Sequence, residues 1–248
     1  MLRSLTDIDG DFELQAPAAG GSNGVLVPPW LYEGKIAVTT SAQSPFRNLY
    51  SLGRVGASVG ADIGRYRITQ AIHPRRSAPG TERVFVNLDF RVAAPDPGLT
   101  GAHRFTVGAI ESTPLIEVLI TSESVSLRSD GTIEKVASLA PNQWHNLQLA
   151  INLAGRRVSG RVGRPGAITE FAGKLTSPSA LPAVDLVTLD SFEETTAKPP
   201  AIEYDNLGVQ DVAIPEVSTE LPATVVLTDG PDPVALNEKL KSLSGIDG

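Results

Sequence analysis

Apolar and polar side chains alternate with a period of two along much of this chain. Arg83–Val92 reads RVFVNLDFRV, with Val84, Val86, Leu88, Phe90 and Val92 pointing one way and Arg83, Phe85, Asn87, Asp89 and Arg91 the other. His145–Leu153, HNLQLAINL, sets Leu147, Leu149, Ile151 and Leu153 against Asn146, Gln148 and Asn152. Arg65–Ile72, His103–Ile110, Leu115–Thr121 and Glu123–Arg128 behave alike. Successive strand residues face opposite sides of a sheet, so the pattern predicts antiparallel strands with one covered face. Turn residues fall between the runs. Ser129-Asp130-Gly131-Thr132 suits a tight hairpin because Gly takes the positive φ the turn demands, and Ala154-Gly155-Arg156 suits another. About a dozen short strands result, and the expected fold is all-β: a two-sheet antiparallel jelly-roll sandwich.

Composition narrows the function classes. The 248 residues include 23 Gly and 19 Pro, which fits many turns, but no Cys. Without Cys there are no disulfide staples, thiolate metal sites or thiol nucleophiles. A formal net charge of −7 lacks the basic footprint of a nucleic-acid binder. A hydrophobic share of 41% is too high for a disordered chain. No apolar run is long enough for a membrane span. Met1–Asp11, MLRSLTDIDGD, lacks the apolar stretch of a signal peptide, which leaves a cytosolic protein or a piece trimmed from a longer parent.

One helix is expected, near the C-terminus. Asp232 can cap it, Pro233 suits its first position, Val234, Leu236, Leu240 and Leu243 follow, and Gly245 stops it. Ile214–Pro222, with two prolines, reads as a linker. The expected organisation is a lead-in over 1–10, a sandwich domain over 11–212, and a linker and helix over 213–248. The two ends also match. Leu2–Gly10 (LRSLTDIDG) and Leu240–Gly248 (LKSLSGIDG) are identical at six of nine positions. Either this is coincidence, or the chain is one unit of a tandem array with neighbouring domains on both sides.

These residues resemble a known family. Leu139–Lys174, with its turn leading to Trp144 and His145, an apolar strand and a hairpin return, is similar to the late strands of laminin-G-like, concanavalin A-like lectin-glucanase domains. Asp11-Phe12-Glu13 resembles the opening strand of such domains and Ala201–Val209 the closing one. Ser44–Tyr50, SPFRNLY, resembles the versions in large secreted or surface proteins of planctomycete-like bacteria. The resemblance spans about residues 11 to 210 and implies a two-sheet jelly roll in an extracellular or cell-envelope setting. Its members include lectins, glycosidases and adhesion modules, so fold alone does not decide activity.

Catalytic patterns are incomplete. Glycosidases of this fold carry Glu-x-Asp-x-x-Glu on one strand, because retaining hydrolysis needs two carboxyls flanking the bond. Thr188–Glu193 (TLDSFE) has Thr at the first position, and Glu203–Gly208 (EYDNLG) lacks the last Glu. Gly56–Gly60 (GASVG) fits a nucleophile elbow, but strand-like residues follow where a helix is required. His73, His103 and His145 are not spaced as ligands. No catalytic residue is assigned, and the chain is expected not to be an enzyme.

For metal, the argument rests on the first and last strands pairing. The apolar phase of the closing segment changes from Ile202 and Tyr204 to Leu207 and Val209, which implies a bulge at Asp205-Asn206. A structural Ca²⁺ held by Asp11, Glu13, Asp205 and Asn206 is then a candidate, as is a plain solvated acidic edge. For ligands, Trp30 and Tyr32 in the Pro-rich VPPWLY stretch offer either a sugar-stacking platform or a plug over the sandwich edge. Trp144 reads as core. The expected function is a non-catalytic binding or spacer module for a glycan or protein. A polysaccharide-acting enzyme with an atypical carboxylate pair and a purely structural repeat of a fibre are the alternatives.

Overall fold

The computed structural model describes residues 30–39, 44–46, 58–76, 83–108, 113–176, 183–192, 197–210 and 213–214. They contain twelve strands and no helix: β1 (Leu31–Thr39), β2 (Ser58–Arg76), β3 (Arg83–Val92), β4 (His103–Gly108), β5 (Ile116–Ile120), β6 (Ser124–Ser129), β7 (Thr132–Ser138), β8 (Trp144–Asn152), β9 (Arg157–Arg164), β10 (Ala167–Lys174), β11 (Ala183–Ser191) and β12 (Ile202–Gln210). The expected helix after Asp232, the linker, the lead-in and the matching ends lie outside the described residues.

All pairings are antiparallel, and they build two layers that share β2. Val59–Ala61 of β2 pairs with Ile202–Tyr204, completing one layer in the order β10-β9-β8-β3-β12-β2. Farther along, β2 pairs with β11 between Arg67 and Arg76 and starts the other layer, β2-β11-β4-β5-β6-β7. β1 runs beside β2 through both layers and changes register between Gly34 and Ile36. Gly34 makes that crossing possible: its φ is +87°, and a Cβ there would run into the Arg65 carbonyl. On the far side the layers meet where Ser129 Oγ accepts from Lys174 N at 2.9 Å and Lys174 Nζ reaches Asp130 at 3.2 Å.

The core fills the space between the layers. Phe90, Leu147 and Leu207 come from one layer, and Ile68, Phe105 and Leu189 from the other, all in one apolar cluster. Tyr66 ties the layers through its hydroxyl, which lies 2.6 Å from Tyr204 Oη on β12 and 2.9 Å from His103 Nδ1 on β4. Burial pushes both tyrosines up and lowers His103 to about 3, so the imidazole is neutral and can accept. The hairpin at Asp130-Gly131 has φ of 52° and 79°, the two positive angles of a twist-matched turn.

Candidate functional site

Alternation leaves one side of β10-β9-β8-β3-β12 facing away from the core. Cross-strand register arranges those side chains in rows. One row runs Asp205, Asp89, Asn146, Gly163, Ile168, and the next Gly208, Asn87, Gln148, Arg161, Glu170. A third begins with Glu203 and Arg91, which form an ion pair, and reaches Trp144. The Arg91 guanidinium lies 5.4 Å from the Trp144 ring centre. These positions are polar, as the sequence implies, yet Asn87, Asp89, Asn146, Gln148 and Asp205 are buried.

The first row is buried because Ser44–Phe46 crosses it. Ser44 N donates to Asp205 Oδ2 at 2.8 Å and Ser44 Oγ donates to Asp89 Oδ2 at 2.7 Å, so one residue bridges two carboxylates on adjacent strands. Phe46 packs on Trp144 and Ile168 in a small cluster apart from the main core. Trp144 is therefore buried, but on the sheet face opposite the core assigned to it from sequence. Its phase is that of Asn146 and Gln148, not of Leu147.

The bulge expected at Asp205-Asn206 is present: β12 shifts register between Asp205 and Gly208, and Asn206 adopts φ 48°. The shift turns Asn206 onto the acidic row. Its Nδ2 donates to Asp89 Oδ2 at 2.7 Å, its own N–H to Asp205 Oδ1 at 2.8 Å, and its carbonyl accepts from Asn87 Nδ2 at 2.6 Å. Asn146 Nδ2 donates to Asp89 Oδ1 at 2.6 Å. Burial raises Asp89 to about 6, opposed by the hydrogen bonds from Asn206, Ser44 and Asn146.

This arrangement does not suit the calcium expectation. A cation needs lone pairs directed at an empty centre. Here the oxygens of Asp89 and Asp205 meet N–H and O–H donors, and Asn206 offers its amide nitrogen to Asp89. Asp11 and Glu13 lie outside the described residues. No group of three or more His, Asp or Glu that could hold a metal occurs among the described residues.

Beside the acidic row lies a groove of about 360 Å³, lined on this face by Phe85, Gln148, Ser159, Arg161, Glu170 and Ile214. Arg161 is fixed there: its Nε donates to Gln148 Oε1 at 2.6 Å and its Nη2 to the Ile214 carbonyl at 2.8 Å. Glu170 stands opposite it on β10. A fixed guanidinium and carboxamide with the exposed Glu170 carboxylate around an open depression present donors and acceptors together, which suits a polyhydroxylated ligand.

The other residues singled out from sequence lie elsewhere. Trp30 is 2% exposed and belongs to the main core, so it offers no stacking face. Tyr32 is 38% exposed on β1. Asp190 of the TLDSFE segment is on the outer side of the second layer, held by Arg104 Nε at 2.9 Å and Nη2 at 2.7 Å, with Arg67 at 3.6 Å. His145 stacks on Phe90 at 5.7 Å, and burial lowers it to about 4. Sequence reasoning missed Asn87, Asp89, Asn146, Gln148, Arg161 and Glu170. The available signal was their type: carboxamides and an aspartate fill the outward phase of β3 and β8.

No family model matches the chain, and no curated protein matches it in sequence. Solved structures do. A GH131 β-glucanase catalytic domain from Podospora anserina superposes with a TM-score of 0.50 at 13% identity, covering 85% of this chain and 97% of that one. The cellulose-induced protein Cip1 gives 0.50 at 9% identity, with 83% and 98% covered. A Lotus tetragonolobus seed lectin gives 0.47 at 8% identity, with 77% and 96% covered. The likeness to the first two establishes the fold alone, an all-β jelly-roll sandwich.

Proposed function

We propose that this chain is a non-catalytic glycan-binding module that takes its ligand on the outer face of β10-β9-β8-β3-β12, as a unit of a larger extracellular or cell-envelope protein. The observation that carries this reading is the groove at Gln148, Arg161 and Glu170, where the paired Gln148 and Arg161 and the exposed Glu170 border an open depression. Sugars are held by such hydrogen-bonding sets. The β-glucanase among the structural neighbours makes β-glucan oligosaccharides the first probe. Calorimetric titration with them should show saturable binding, and no reducing ends should be released on long incubation. Absence of binding across cello- and laminari-oligosaccharides would remove the reading.

The enzyme alternative has one observation in its favour. Asp89 and Asp205 face each other across β3 and β12, and directly opposed residues have Cβ atoms about 5 Å apart. Retaining glycosidases use two carboxyls at about that separation, one with a raised pKa, and Asp89 is raised. Against it, the pair is covered by Ser44 and fully engaged with donors. Sugar release that Asp89→Asn and Asp205→Asn both abolish would favour the enzyme.

A further inference from the structure

An outward sheet face that carries two opposed carboxylates is expensive to cover, since each loses hydration and must be repaid by donors. A cover serving stability alone would be better placed over apolar residues. Here the described cover is Ser44–Phe46, and its chemistry matches that of the ligand class argued above. Ser44 supplies two donors, its N–H and its hydroxyl, to Asp205 and Asp89. Phe46 supplies an apolar face against Trp144. A pyranose does both, with vicinal hydroxyls for carboxylates and a C–H face for tryptophan. The covered row lies next to the open groove. Asn146 and Gln148 are successive outward residues of β8, and a narrow gap lined by Asn146, Arg161, Gly163 and Ile168 lies between the two.

We propose that Ser44-Pro45-Phe46 is an internal occupant of the sugar-binding face, filling a subsite beside the Gln148–Arg161 groove that a longer saccharide takes over on binding. The inference rests on the glycan-binding reading. Short ligands would use the groove alone. Longer ones would compete with the occupant, and their apparent affinity would be lowered by the fraction of molecules in which it is seated.

The test uses the full chain, Phe46→Ala and Ser44→Ala, titrated with a β-glucan trisaccharide and hexasaccharide. Ser44→Ala keeps the N–H bond to Asp205 and removes the two bonds of the hydroxyl, to Asp89 and from the Phe46 N–H, while leaving the Phe46 ring in place, so it guards against a folding failure in Phe46→Ala. Ser44→Ala should bind the hexasaccharide about tenfold tighter, the scale set by losing one hydrogen bond to a charged group, and Phe46→Ala, which loses its packing on Trp144, should also bind it tighter, with trisaccharide affinity unchanged in both. Hydrogen exchange on the parent chain should show the Ser44 and Phe46 amides losing protection when the hexasaccharide binds, and not with the trisaccharide. If all three chains bind both sugars alike and the amides stay protected, the occupant is refuted while the glycan reading stands. If no chain binds either sugar, both fall.

Discussion

Replacing Tyr66 by Phe should destabilise this protein several times more than replacing Tyr204 by Phe, although both hydroxyls take part in one hydrogen bond between them. The buried His103 is neutral, and with its proton on Nε2 its Nδ1 accepts from the Tyr66 hydroxyl at 2.9 Å. Tyr66 Oη is then the acceptor for Tyr204 at 2.6 Å. Tyr66→Phe removes the partner of two buried groups at once, the His103 nitrogen and the Tyr204 hydroxyl. Leaving buried polar groups without partners costs about 1–3 kcal/mol each, so the loss should be about 2–6 kcal/mol. Tyr204→Phe leaves the Tyr66–His103 bond intact and strands no donor, at about 1 kcal/mol. Urea unfolding followed by tryptophan fluorescence measures both, with unchanged m-values as the check that the states compared are the same. Equal losses, or a larger loss for Tyr204→Phe, would refute the donor order and the clip between the layers.

Three further outcomes are expected. Asp89 is raised from 3.8 to about 6 by burial, so its proton is held more tightly in the folded chain. Its contribution to stability is full below about pH 4, shrinks by about 3 kcal/mol as pH rises to 6, and then levels off; this slope should vanish in Asp89→Asn when the two chains are melted across that range. Asn206 stands at φ 48° and donates to Asp89, so Asn206→Ala should cost about 3 kcal/mol and Asn206→Gly less, since glycine keeps the left-handed backbone and loses only the bond. Because donors already face the carboxylates, millimolar Ca²⁺ should leave the melting temperature unchanged; a rise of several degrees would restore a metal role for Asp205 and Asn206.

The strands were legible because their period is short and their turns are punctuated. RVFVNLDFRV and HNLQLAINL fall on β3 and β8 almost as written, and the phase change at Asp205-Asn206 marks a real bulge. The site was less legible for two physical reasons. Its rows are assembled across strands far apart in the chain, so Asp89 meets Asp205 and Arg161 meets Gln148 only through register. In addition, period-two alternation gives the face but not what covers it. It assigned Asn87 and Asp89 correctly to the outward side, and the cover that Ser44 places over Asp89 comes from a segment without periodicity. Trp144 was misplaced for the same reason: an aromatic residue before an apolar strand reads as core, whereas its even phase puts it with Asn146 under Phe46.

The most direct measurement compares Arg161→Ala with Arg67→Ala in β-glucan trisaccharide titrations. Arg161 lines the groove, while Arg67 is half exposed on β2 near Asp190. Binding should weaken at least tenfold in Arg161→Ala, the scale of one lost charge-assisted hydrogen bond, and stay at the parent value in Arg67→Ala. Equal affinity in all three chains, or loss only in Arg67→Ala, would contradict a ligand site on the β10-β9-β8-β3-β12 face.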